Sequence, residues 1–278
     1  MRADGQSTSG CGRVRQPDRA VRRPVTWDRW RAALVALTKD RNRDGTPEQY
    51  GMALPYHTGV PVWPILLWAH GGDVVETDGA KSALTRPRTV SAVSTWTSLV
   101  TQNRISPVGL SGAEAEQLFK EGKAAMTITG PWAVPGFQDA GVDFGLVPVP
   151  PGTARQVTLG FTTSLALNAE LTPQKAAAAH RFMSYWMEED TQRRWMEESG
   201  DPSIRVDRTT PVTNPLGAQF AEDTRFAEPL MPGVVDFSLV YDDVFEPAIR
   251  RIATGEVNPE NGLLAAAAWI DHLLSQSG

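Results

Sequence analysis

The run from Ala124 to Trp132, reading AAMTITGPW, limits what this chain can become more than any other stretch. Ala124 to Thr129 reads as a buried strand, Gly130-Pro131 breaks it, and Trp132 opens a helix with proline in the first turn. A strand that stops at a Gly-Pro turn and passes into a helix is the local geometry of an α/β protein, where ligands gather at the carboxyl ends of strands.

Composition narrows the partners. Lys plus Arg number 27 against 32 Asp plus Glu, a formal net charge of -5, so the basic footprint that nucleic acid requires is missing. The longest apolar run, Val60 to Ala69, is interrupted by Pro61 and Pro64 and is far shorter than the roughly 20 residues of a spanning helix; no membrane span is expected. Cys11 is the sole cysteine, which excludes an intramolecular disulfide and leaves the compartment open. Residues 1–23 carry six arginines against two aspartates and no apolar stretch, so they read as a disordered or mis-assigned leader without an export signal. Thr8-Ser9-Gly10-Cys11 superficially resembles a lipoprotein cleavage site but lacks the apolar segment that precedes one.

Periodicity organises the rest. Thr26 is placed to cap a helix over Trp27 to Leu37, with Trp30, Leu34 and Leu37 on one face. Asp40 to Glu48 reads as a polar loop, Tyr50 to Leu54 as a strand ended by Pro55, Tyr56 to Trp63 as a loop, and Pro64 to His70 as an apolar helix. Helices follow over Val90 to Gln102 and from the capping box Ser111/Glu114 to near Gly122. Phe144 to Val149 and Gly160 to Leu167 read as strands. After them come a helix from Thr172-Pro173 carrying Phe182, Tyr185 and Trp186, and a short one with Trp195 and Met196. An irregular connection spans Pro202 to Pro215, and helices close the pattern over Pro247 to Ala253 and Gly262 to Leu274. Four strands and about eight helices make an α/β pattern with too few strands to furnish two full sheets.

Leu118 to Trp132, LFKEGKAAMTITGPW, resembles a signature of the extracellular solute-binding proteins of bacterial ABC sugar importers, the maltose-binding protein family. Pro24 to Asp28, Tyr50-Gly51 leading to Gly71-Gly72, and Gly160-Phe161 with Ser164 fall in the same order, and Ala248 to Leu274 is similar to the family's closing helices. The resemblance implies an α/β periplasmic-binding-protein-like fold of two lobes with sugar between them. It assigns residues 24–158 and 205–278 to a C-terminal lobe, largely complete, and residues 159–204 to a remnant of an N-terminal lobe whose opening units are missing. It further implies an extracellular or cell-surface monomer that needs no cofactor, binds a mono- or oligosaccharide and partners an ABC importer permease.

By that resemblance Trp132 is a sugar-stacking aromatic. An exposed indole suits the role, because its face packs against the C–H face of a pyranose while nearby polar groups bind hydroxyls. Tyr56 and Trp63 belong to the loop that lines the cleft in the family, and Tyr241 and Asp242 to the place where it presents aromatic or polar groups. Burial in the core for the aromatics, and a partner role at a helix start for the aspartate, are the alternatives. Trp68 is expected to face the core, as are Met126, Met183, Met187 and Met196. Asp40 to Gly45 matches the first half of a calcium loop, but Gly51 stands where a bidentate glutamate belongs. The four histidines lack zinc spacing, and no hydrolase elbow, Walker loop or dinucleotide fingerprint is present. A glycoside hydrolase built on a carboxylate pair is the alternative to a binding protein.

Overall fold

The computed structural model describes residues 26–57, 60–160, 164–199, 201, 215–234 and 236–276. The Arg-rich leader, Cys11 and most of the 202–215 connection lie outside them.

Helix α1 (Trp27–Leu37) begins as its sequence dictates: Thr26 is extended, and its Oγ1 accepts from the Arg29 N–H at 3.4 Å. Its buried face, Trp30, Leu34 and Leu37, meets an aromatic cluster in which the Trp30 and Trp96 rings lie 5.1 Å apart and Trp27 and Trp96 5.2 Å apart. The polar loop follows, and the chain then enters the middle segment of a small parallel sheet, residues 50–57. On one side Tyr50 N–H donates to Lys123 O (2.8 Å), Ala125 N–H to Tyr50 O (2.9 Å) and Ala53 N–H to Met126 O (2.8 Å). On the other side Met52 N–H donates to Ile105 O at 2.9 Å and Leu54 N–H to Ser106 Oγ at 3.0 Å. Strand β1 (Pro55–His57) then pairs in parallel with β2 (Leu110–Ser111), with a register slip inside it. Pro55 therefore does not end the strand. It opens the regular pairing, a place where a missing N–H is tolerated. The Ala124–Thr129 segment pairs only through single bridges at Ala124 and Thr127.

Helix α2 (Val62–Ala69) starts two residues before the expected Pro64, and all eight of its residues are buried. Trp63 is thus its second residue and not part of a loop. Helix α3 (Pro87–Thr101) uses Pro87 in its first turn, ahead of the expected Val90. The crossover from β2 to the 124–129 segment is α4 (Gly112–Lys120), fixed by a complete capping box in which Ser111 and Glu114 bond each other's backbone N–H. Small side chains, Ala53, Ala115 and Ala124, let α4 approach the sheet. Helix α5 (Ala133–Asp139) follows the Gly-Pro-Trp turn.

The expected strand over Phe144 to Val149 is absent. Pro148, Pro150 and Pro151 remove ladder donors, and the carbonyls of Leu146 and Val149 accept from the side-chain amides of Gln219 and Gln156, at 3.1 and 3.0 Å. Of the strand expected over Gly160 to Leu167, residues 161–163 lie outside the described residues; β3 (Thr158–Gly160) pairs in parallel with β4 (Ala227–Pro229), a partner the sequence did not reveal. Helices α6 (Pro173–Trp186) and α7 (Glu189–Ser199) form where the Thr172 cap and the periodicity placed them. No residue of α6 is buried; Phe182 and Tyr185 are 54% and 50% exposed, and Met187 lies outside the core. Helix α8 (Pro215–Asp223) leads through a 3₁₀ turn into β4. A π-helical turn over Leu239–Phe245 runs directly into α9 (Glu246–Ala253), and α10 (Pro259–Gln276) follows. The main core joins α1, α2, α3, the π-helical turn, α9 and α10 around Trp63, Trp96, Phe245 and Leu263. Among the described residues no helix is long and apolar enough to cross a membrane.

Candidate functional site

The parallel arrangement brings the carboxyl ends of residues 50–57 and 124–129 to the same edge, with Tyr56 at one end and Trp132 just beyond the other. Trp132 occupies the turn before α5 with helical backbone angles and is 40% exposed. Its indole folds back over Gly130. A Cβ added at Gly130 would fall 2.1 Å from Cζ3 and 2.2 Å from Cη2 of the ring, so only glycine permits this placement. The indole Nε1–H donates to Glu116 Oε1 at 3.3 Å, and the same oxygen accepts from the Thr129 hydroxyl at 2.7 Å. The capping box sets the phase of α4, and that phase aims Glu116 at the turn.

The other aromatic candidates lie inside. Tyr56 is 1% exposed, Trp63 0% and Tyr241 5%. Tyr56 and Trp63 touch ring to ring, centroids 5.4 Å apart, and Tyr241 packs on Phe245 at 5.6 Å. Burial, reinforced by the charge of Glu246, pushes both the Tyr56 and Tyr241 phenols far above their ordinary range. Burial likewise raises the Glu246 carboxyl, against the smaller opposing pull of Arg250. Among the described residues, Tyr56 Oη, Trp63 Nε1, Tyr241 Oη and Glu246 Oε1 make no hydrogen bond within the protein. Asp242 is exposed on the π-helical turn. Trp68 is in the core as expected, its Nε1–H bonded to Asp73 Oδ1 at 2.8 Å.

The acidic loop closes on itself. Asp40 Oδ2 accepts the Gly45 N–H at 3.0 Å, and the Arg104 guanidinium stands 3.8 Å from the same oxygen while donating to Gly45 O at 2.7 Å. Glu48 accepts from the backbone N–H groups of Arg41 and Asn42, which hold its carboxyl below the usual range. An Asx-type turn with Gly45 at φ +93° accounts for these contacts.

Sequence reasoning missed Glu116, Gly130 as a seat for the indole, and Glu246. Glu116 lies 13 residues from Thr129 and 16 from Trp132, a separation without periodic signature, whereas Gly130 was visible only as a strand breaker.

The fold is that of the maltose-binding-protein-like periplasmic binding proteins. The maltose/maltodextrin-binding domain MalE from Bdellovibrio bacteriovorus, bound to maltotriose, superposes with a TM-score of 0.78 at 25% identity, over 92% of this chain and 67% of that one. A Thermotoga lettingae solute-binding protein of an ABC transporter, bound with alpha-D-tagatose, superposes at 0.74 with 23% identity, over 90% and 65%. In sequence, the galactooligosaccharide-binding protein of Bacillus subtilis is 27% identical over 168 residues, 58% of this chain and 39% of that protein. A putative binding protein of Brucella abortus is 25% identical over 267 residues, covering 91% and 62%. This chain thus spans less than two thirds of the length of both curated relatives. Residues 16–227 match the bacterial extracellular solute-binding protein family, and the chain belongs to that family.

Proposed function

We propose that this chain binds a mono- or oligosaccharide outside the cell, with Trp132 as a stacking platform, and serves an ABC importer permease. The observation that carries the reading is the Trp132 indole, held at the carboxyl end of a parallel strand with part of its ring open to solvent. Names of the relatives, which include binders of galactooligosaccharide and of maltotriose, support the ligand class. Asp242 is placed to meet hydroxyls from the surface. Tyr56, Trp63 and Tyr241 are packed in the main core and serve in this reading as support rather than as sugar contacts. In this reading residues 24–158 and 205–278 form one lobe and residues 159–204 belong with a second; a helix α6 without a buried residue supports that division.

Titration calorimetry of the full chain against maltotriose and galactooligosaccharides tests the platform. Trp132→Ala should weaken binding by about 1 to 3 kcal/mol, the loss of a well-packed aromatic contact. Unchanged affinity would remove Trp132 from the site.

A further inference from the structure

We propose that Glu116 is a positioning residue that locks the Trp132 indole in place. Trp132 sits at the surface, 40% exposed, in the turn before α5. Two contacts of the ring and one behind them bear on its orientation. Gly130 offers a flat backbone seat where any Cβ would collide with the ring. Glu116 Oε1 accepts the indole N–H at 3.3 Å and so fixes the rotation of the ring on that seat. Thr129, on the strand, donates its hydroxyl to the same oxygen at 2.7 Å, holding the carboxylate on the turn. Of the two bonds to this carboxylate, the Thr129 bond at 2.7 Å is the shorter and stronger, and it holds the oxygen where the indole N–H meets it. Behind Glu116, the capping box at Ser111 and Glu114 sets the rotation of α4.

The arrangement preorganises one face of an indole. A side chain already ordered before a ligand arrives loses less rotamer entropy on binding. The consequence for sugar affinity rests on the platform reading above; the positioning itself does not.

The two are separated by measuring them separately. The full chain is labelled with ¹⁵N-tryptophan, and the Trp132 indole N–H resonance is identified by its loss in Trp132→Phe. Glu116→Ala should displace that resonance and speed its exchange with solvent while the other eight of the nine tryptophans stay in place. Glu116→Gln, which keeps an acceptor oxygen, should restore most of the wild-type position. Gly130→Ala should displace the same resonance by unseating the ring, which gives a variant that leaves the carboxylate intact. A Trp132 resonance indifferent to Glu116→Ala overturns the proposal. With maltotriose as the probe, Glu116→Ala should weaken binding about 5- to 20-fold, Glu116→Gln less than about 2-fold, and Glu116→Ala should add nothing in a Trp132→Ala background. If wild type fails to bind maltotriose while the resonance moves as expected, the positioning of the indole stands and the platform reading loses its support.

Discussion

Substituting Gly51 by alanine should detach the first helix from the sheet. Gly51 lies in the central extended segment against the carboxyl half of α1, and a Cβ there would stand 2.0 Å from the Leu34 carbonyl oxygen, 2.8 Å from its carbon and 3.0 Å from Leu34 Cα. All three atoms are backbone, so no rotamer change gives relief. Ordinary carbon-to-carbonyl contacts lie at about 3.3 to 3.6 Å, and α1 would have to move about 1.3 Å. That shift breaks a local bridge: Thr38 Oγ1 accepts the Gly51 N–H at 3.1 Å while its hydroxyl donates to Leu34 O at 2.9 Å. It also disturbs Trp30 and Leu34, which are 3% and 0% exposed. Overpacking of this kind costs about 1 to 3 kcal/mol, and a lost hydrogen bond about 1 more, so the expected loss is about 2 to 4 kcal/mol. Gly141 is the control. It needs a left-handed backbone, φ +68°, yet nothing lies within 4 Å of its Cβ position. Alanine there meets only the conformational penalty of about 1 to 2 kcal/mol, partly offset by a stiffer unfolded chain. Urea unfolding followed by both tryptophan fluorescence and far-UV circular dichroism, at unchanged slope, reads the difference. The reasoning fails if Gly51→Ala loses no more stability than Gly141→Ala.

Glu246 is 4% exposed, and burial raises its carboxyl, so the folded state holds that proton more tightly than the unfolded chain and stability falls as pH rises from the ordinary carboxylate range through the folded value. Glu246→Gln should therefore be more stable than wild type at pH 7, with the gain shrinking on acidification to pH 4; identical pH dependence in the two proteins would count against a buried charge there. Phe182→Ser combined with Tyr185→Ser, on the unburied face of α6, should raise the monomer fraction in light scattering at high concentration, whereas unchanged self-association would acquit that face. Incubation with aryl glycosides and oligosaccharides should release no product above background, and steady hydrolysis abolished by a single Asp or Glu substitution would establish a glycosidase instead.

Local grammar was legible and long-range pairing was not. Thr26, Ser111 and Thr172 each announced a helix start that the structure keeps, because a cap depends on neighbours two or three residues away. Proline misled in both directions. Pro55 reads as the end of a strand that in fact continues, and Phe144 to Val149 reads as a strand although its prolines remove ladder donors and two glutamines satisfy the Leu146 and Val149 carbonyls. Strand β4 escaped notice since AEP carries no alternating pattern and gains its identity only from lying beside β3. At the site, the motif marked Trp132, but nothing local marks Glu116, because only the crossover geometry of α4 brings it to the turn. Tyr56, Trp63 and Tyr241 could not be assigned to surface or core by residue type, for aromatic side chains serve both.

The main core draws on residues from Trp30 to Ile270, and Ser82 N–H is held by the Asp271 carboxylate across 189 positions. While the chain is being synthesised, α3, which carries Trp96, therefore lacks part of its cover until α10 has left the ribosome. The central segment at 50–57 has a similar wait for its partners at 105–111 and 124–129. Contacts this distant in sequence form slowly, and apolar surface left bare for that interval attracts other chains. Pausing translation within α10 should thus hold a nascent chain that chaperones still grip, and release should follow the emergence of Ala267 and Ile270.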